Sequence, residues 1–190
     1  MAAPISSLLA LGVLALGTSA CQRSSSEAQS SKDAPAANTP GSELLAVGAV
    51  VPAISGTAQN GENVALRSLV GKPIVVYFYP KDDTPGCTVE AQEIRDLWSD
   101  IQATSAVVVG VSTDDADSHK AFADKHALPF LLLPDSNQDI ARAFGVELKN
   151  GRATRVSFVF GRDGKLVKVF PDVNPRGHAE ELLSTLKSLG

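Results

Sequence analysis

The segment Tyr79-Pro80-Lys81-Asp82-Asp83-Thr84-Pro85-Gly86-Cys87-Thr88 combines a thiol, a hydroxyl three residues before it, two prolines and a glycine. It follows Ile74-Val75-Val76-Tyr77-Phe78-Tyr79, a continuous β-prone run of the kind expected in a central strand covered on both faces. Ligands of open α/β sheets bind beyond the carboxyl ends of the strands, so the segment lies where a site is expected. Cys87 falls in the first turn of a predicted helix, where unpaired backbone N–H groups and the positive end of the dipole favour an anion. Thiols in such positions lose their proton more readily than free cysteine, and the thiolate is the nucleophile. Thr84 can turn its hydroxyl toward the sulfur or toward a bound oxygen. Pro80 and Pro85 restrict the loop and shield the sulfur from bulk water. Asp82 and Asp83 would oppose a nearby anion, so both are expected to face solvent. A lone cysteine is often only a small buried hydrophobe, but this one stands at a strand-to-helix turn flanked by Pro, Thr and Gly.

The surrounding pattern supplies the elements that would hold this turn. A helix is predicted from Cys87 to Ala103, with Ile94, Leu97, Trp98 and Ile101 as its buried stripe. A strand at Ala106–Val111, a helix at Ala116–His126, a short strand at Phe130–Leu133 and a short helix at Gln138–Phe144 follow. Val156–Phe160 and Leu166–Phe170 flank Arg162-Asp163-Gly164 as a hairpin, and a helix from Arg176 to Leu189 closes the chain. Residues 50–70, with a turn at Asn60-Gly61, read as a small β-hairpin at one end. Alternating strands and helices with an antiparallel portion predict an α/β, thioredoxin-like fold carrying an inserted helix–strand unit and an N-terminal β-hairpin.

The chain has 190 residues, 44% hydrophobic and 20% charged, with a formal charge of -4. That balance excludes a generally basic, phosphate-seeking surface, so nucleic acid is not an expected partner. Two cysteines, Cys21 and Cys87, make neither a disulfide-rich scaffold nor a Cys-based zinc site. Residues 5–17 form an uncharged, largely apolar run; a helix of that length covers about 20 Å, short of the ~30 Å hydrocarbon core. Residues 1–21 therefore read as a signal peptide rather than a membrane span. Ser19 and Ala20 before Cys21 resemble a bacterial lipoprotein box, although Thr18 stands where Leu is usual. Cys21 is then either an acylated N-terminal residue, tethering the protein to a membrane, or part of a soluble exported chain cut after Ala20. Residues 22–43, rich in Ser, Ala, Gln and Pro, read as a flexible linker, and 44–190 as the folded domain. Both readings export the protein to the bacterial cell envelope or periplasm.

The stretch Val76 to Ala91 resembles the active-site segment of peroxiredoxins, and more narrowly of the bacterioferritin comigratory protein (PrxQ) group. The pattern P-x-x-x-T-x-x-C is met by Pro80, Thr84 and Cys87. Arg155-Val156-Ser157-Phe158-Val159-Phe160 followed by Asp163-Gly164-Lys165 resembles the family's strand with its active-site arginine, and Gly177 to Leu183 its closing helix. The resemblance spans roughly residues 45–190. It implies that Cys87 is the peroxidatic cysteine of a thiol peroxidase, attacking a hydroperoxide to give a sulfenic acid and water or an alcohol. It implies that Arg155 stabilises the thiolate and the leaving oxygen, and that Thr84, Pro80 and the backbone near Gly86 orient the peroxide. No metal or organic cofactor is implied, and a monomer or weak dimer is expected.

The sequence departs from the group at Gln92, where many members carry a second, resolving cysteine. A one-cysteine cycle follows, reduced by an external thiol from a thioredoxin-like protein or a small molecule. Cys21 would be an alternative resolving thiol if it is not acylated. Other readings compete. A thioredoxin-like disulfide reductase would need C-x-x-C, but Thr84 stands where the partner of Cys87 would be. A cysteine hydrolase would need one of His119, His126 and His178, which read as solvated helix surface. Scattered histidines with one domain cysteine make no copper-ligand spacing. A non-enzymatic lipoprotein would leave Cys87 inert. Asp114-Asp115-Ala116-Asp117 reads as a solvated helix start.

Overall fold

Every residue of the strand Ile74–Phe78 (β3) is buried, because its alternating side chains feed two different cores. Ile74, Val76 and Phe78 join Phe144, Phe158 and Phe160 on one face of the sheet. Val75, Tyr77 and, just past the strand end, Tyr79 join Ile94, Ile101, Phe122 and Leu182 on the other. Burying each large apolar side chain contributes roughly 1.5–3 kcal/mol, so the double coverage anchors the strand that leads into the cysteine loop.

The computed structural model describes residues 43–190. The leader read over 1–21, with Cys21, and the linker read over 22–43, apart from Glu43, lie outside the described residues. A small antiparallel pair, β1 (Ser55–Thr57) and β2 (Asn63–Ala65), turns at Asn60-Gly61 and is followed by a 3-10 turn at Leu66–Leu69. After β3 come α1 (Pro85–Asp96), α2 (Trp98–Ala103), β4 (Val107–Ser112), α3 (Ala116–His126), β5 (Leu131–Pro134) and α4 (Asp139–Phe144). A two-residue hairpin, β6 (Leu148–Lys149) and β7 (Arg152–Ala153), precedes β8 (Val156–Phe160), β9 (Leu166–Phe170) and α5 (His178–Lys187). The central sheet runs β5-β4-β3-β8-β9, with β3, β4 and β5 parallel and β8 and β9 antiparallel. α4 packs on one face, and α1, α2, α3 and α5 on the other. This is the expected thioredoxin-like arrangement with an inserted helix–strand unit.

Three expectations change. The single helix over 87–103 is two helices, parted at Leu97, whose ψ of 10° leaves the helical range. Ile94 and Ile101 stay fully buried across that break, so the apolar stripe survives it. The β6–β7 hairpin at Asn150-Gly151 is an addition to the expected elements; both turn residues have positive φ, which that dipeptide favours. His119 and His178 are fully buried rather than solvated. His178 places Nε2 2.8 Å from Ser157 Oγ in β8, and a hydrogen bond of this kind is what permits a polar ring in a core. The acidic start of α3 is solvent-exposed as expected at Asp115 and Asp117, and Asp115 is the N-cap, accepting from Ser118 N at 2.8 Å, whereas Asp114 is half-buried and accepts from Ser112 Oγ at 2.7 Å.

Gly110 in β4 has a packing reason. A Cβ there would lie 2.7 Å from Leu132 Cδ2 and 2.8 Å from the Tyr77 ring. Gly110→Ala is expected to lower unfolding free energy by about 1–3 kcal/mol through overpacking, read as a lowered urea midpoint; an unchanged midpoint would contradict this account of the packing.

Candidate active site

The β3–β8 register brings together two parts of the site that are far apart in sequence. Phe78 pairs with Val156, so Arg155, one residue before β8, comes level with Tyr79, where the chain leaves β3 for the cysteine loop. The loop ends at Thr84, the N-cap of α1, with Pro85 at the first helical position, where its missing N–H costs nothing. The first helical bond runs from Thr88 N to Thr84 O at 2.9 Å. The N–H groups of Gly86 and Cys87 therefore have no intrahelical acceptor.

Cys87 is 2% exposed, and two donors converge on its sulfur. Arg155 Nη2 lies 3.1 Å from Sγ, and Thr84 Oγ1 lies 2.8 Å from it. The Thr84 hydroxyl is also 3.0 Å from Lys81 O. A hydroxyl has one proton and two lone pairs. Against a thiol, Thr84 accepts from S–H and donates to Lys81 O; against a thiolate, it turns its proton to the sulfur. The guanidinium has no acceptor, so it meets the sulfur only as a donor. Gly86 is what lets it approach: a Cβ there would lie 2.9 Å from Arg155 Nη2 and 3.5 Å from Pro175 Cγ. Pro80 is half-buried at the start of the loop.

Glu90 completes this group, and sequence reasoning missed it. Its Oε2 accepts from Arg155 Nη1 at 2.5 Å, while Oε1 is buried without a partner. Burial pushes its carboxyl up to about 7, against the lowering effect of Arg155 and with a further rise from Glu93. The signal was present: Cys87, Glu90, Ala91 and Ile94 are the buried face of α1, and an acidic residue on such a stripe needs a cationic partner. Tyr77 lies under the same charges. Burial, then Glu90 and Cys87, raise its phenol well above the ordinary value, so it stays neutral.

Of the two aspartates expected to face solvent, only Asp83 does. Asp82 is 5% exposed, because a ready set of donors surrounds it. Tyr79 Oη donates at 2.8 Å and Ser118 Oγ at 2.7 Å, and His119 Nδ1 lies 2.9 Å away. Its own backbone N–H donates to Asp114 Oδ2 at 2.9 Å. Burial pushes the Asp82 carboxyl up, but hydrogen bonds from His119, Ser118 and Tyr79 outweigh that and leave it below the usual range. Asp82 thus ties the cysteine loop to α3. Among the described residues none of the three histidines hydrogen-bonds to Cys87, and no His/Cys/Asp/Glu group could hold a metal ion. No helix among these residues is long and apolar enough to cross a membrane.

Comparison with known proteins places this geometry. Residues 47–169 match the AhpC/TSA family model. Peroxiredoxin Bcp from Bacillus subtilis (strain 168) is 40% identical over 152 residues, covering 76% of this chain and 97% of that protein. The crystal structure of peroxidoxin BcpB from Mycobacterium tuberculosis superposes with a TM-score of 0.70 at 32% identity, covering 76% of this chain and 97% of the other. The bacterioferritin comigratory protein of Xanthomonas campestris superposes at 0.66 with 32% identity, covering 71% and 90%. The chain belongs to the AhpC/TSA family and, within it, to the Bcp/peroxiredoxin Q peroxiredoxins, which are thiol-dependent peroxidases.

Proposed function

We propose that Cys87 is the peroxidatic cysteine and that this chain reduces hydrogen peroxide and organic hydroperoxides by a one-cysteine cycle. The observation that carries this reading is the convergence of Arg155 Nη2 and Thr84 Oγ1 on one recessed sulfur. The Cys87 thiolate attacks the terminal oxygen of R–O–O–H; the S–O bond forms, the O–O bond breaks, and R–O⁻ leaves and takes a proton to become water or an alcohol. Arg155 offsets the negative charge as it passes from sulfur to the leaving oxygen. Thr84 and the free N–H groups of Gly86 and Cys87 orient the peroxide, and Pro80 holds the loop. The reported alkyl peroxide reduction by the Xanthomonas campestris relative supports organic hydroperoxides as substrates here.

Cys87 is the one free cysteine among the described residues, and Gln92 stands where a resolving cysteine would be. The sulfenic acid therefore reacts with an external thiol, giving a mixed disulfide and water. A second thiol then releases Cys87 and the external disulfide. Cys87→Ser is expected to abolish peroxide consumption, and Arg155→Met to lower kcat/KM by about 10²–10³-fold. Mass spectrometry of the peroxide-treated protein should show Cys87 gaining one oxygen. A Cys87→Ser chain that turns over peroxide as fast as wild type would end this reading.

Glu90 is the anchor that keeps the guanidinium turned toward the sulfur. Its carboxyl loses its proton as pH rises through about 7, so the charge shared with Arg155 changes within the working range. The rate constant for Cys87 oxidation should fall as pH rises through about 7, because the ionised carboxylate then takes a larger share of the cation that offsets charge at the reacting sulfur. Glu90→Gln should remove that fall while staying within about threefold of wild type, because the amide oxygen still accepts from Arg155. Glu90→Ala, which frees the guanidinium, should lose about tenfold or more. A fall unchanged in Glu90→Gln would assign it to another group.

Export to the cell envelope is the second part of the proposal. The apolar run at 5–17 and Thr18-Ser19-Ala20-Cys21 support it, as does the quarter of the chain that lies outside the alignment to Bacillus subtilis Bcp. The mature protein should begin at Cys21, carrying acyl chains that anchor it to a membrane. Intact mass of the purified native protein tests this, and a chain retaining residues 1–20 would reject export by this route.

A further inference from the structure

Beyond the groups that touch the sulfur, one histidine joins three elements around the cysteine loop. His126 is the last residue of α3; its side chain is 12% exposed, and its ring packs edge-on against Phe122 with centroids 5.1 Å apart. Nε2 lies 2.8 Å from Asp83 Oδ1, and Nδ1 lies 3.2 Å from the Gln92 amide nitrogen on α1. The His126 carbonyl accepts from Arg95 Nη1, also on α1, at 2.8 Å. Lys125 Nζ reaches the same Asp83 oxygen at 3.0 Å. Where the Gln92 amide donates to Nδ1, Nε2–H is the ring's donor to Asp83. Both ring nitrogens are thus engaged, one on the helix that carries Cys87 and one on the loop that precedes it.

Asp83 is where such a hold matters. Its φ of 55° is left-handed, a conformation that costs a residue with a Cβ some energy, less for aspartate than for most, and that side-chain hydrogen bonds help to hold. The next residue is Thr84, whose hydroxyl is 2.8 Å from Cys87 Sγ. We propose that His126 is a positioning residue for the peroxide reaction: braced by Gln92 and Arg95 on α1, it holds Asp83 in its left-handed turn and so seats the Thr84 hydroxyl on the Cys87 sulfur. Gln92 thereby has a use of its own at the position where many family members have a second cysteine. The inference rests on Cys87 being the reacting thiol.

The test measures the second-order rate constant for oxidation of Cys87 by hydrogen peroxide in the purified full-length protein. His126→Ala is expected to slow oxidation about tenfold, the order of loss that a misplaced positioning contact produces. Asp83→Ala, a change at a side chain 44% exposed and outside both hydrophobic cores, should slow it similarly. Asp83→Asn, which keeps an oxygen for Nε2–H, should recover to within about twofold of wild type. In a Thr84→Val background neither His126→Ala nor Asp83→Ala should slow the reaction further, because the hydroxyl they seat is gone. The proposal is overturned if both alanine variants stay within about twofold of wild type, or if they cost the same factor with and without the Thr84 hydroxyl. Cys87→Ser run alongside separates the two levels. Residual peroxide consumption by that variant overturns the identity of the reacting thiol, whereas its complete loss ties any failure of the alanine variants to the role of His126 alone.

Discussion

One guanidinium serves two acceptors. Arg155 gives one nitrogen to the Cys87 sulfur at 3.1 Å and the other to Glu90, three residues along the same helix. In water such a pair would contribute little, but here the sulfur and the carboxylate are nearly inaccessible, and a buried charge without a partner costs several kcal/mol. The sulfur and the carboxyl group therefore share a single cation. The carboxyl answers by holding its proton up to about 7, because burial outweighs the attraction of Arg155.

The rest of the fold follows from keeping that guanidinium in place. Arg155 belongs to no helix; it hangs at the entrance to β8, and its position is set by the antiparallel register of β8 on β3. β3 is itself fixed by two cores, one on each face. Gly86 leaves room for Nη2, and Gly110 leaves room for the Tyr77 ring beneath the loop. Around the loop, Asp82 is bound into α3 through His119 and Ser118, and Asp83 through His126. The peptide between β3 and α1 is thus tied to α3 at two successive residues just before Thr84.

The strand, the turn and the helix that carry Cys87 are legible in the sequence, because apolar runs, prolines and the P-x-x-x-T-x-x-C spacing are local signals. The paired strands at 156–160 and 166–170 are equally legible from their pattern around Asp163-Gly164. Sequence reasoning fails where a polar residue is buried by partners distant in the chain. Asp82 reads as a solvent-facing neighbour of Asp83 until α3, with an imidazole 37 residues on, accompanies it inward. His119 and His178 read as helix surface for the same reason. Glu90 is legible as an acid on an apolar stripe, yet nothing nearby in the chain says which cation meets it.

By itself the sequence determined the strand-to-helix turn that carries Cys87, the helix start on which it sits and the family to which the domain conforms, since the motif that marks them lies within a few positions in the chain. Only the tertiary structure decided what the thiol feels. Arg155 is 68 residues from Cys87, and strand register rather than sequence spacing sets their 3.1 Å separation. The same holds for the Glu90–Arg155 pair and for the His126–Asp83 link, because Coulomb and hydrogen-bond energies depend on distances that exist only once the sheet has paired and the helices have closed over it.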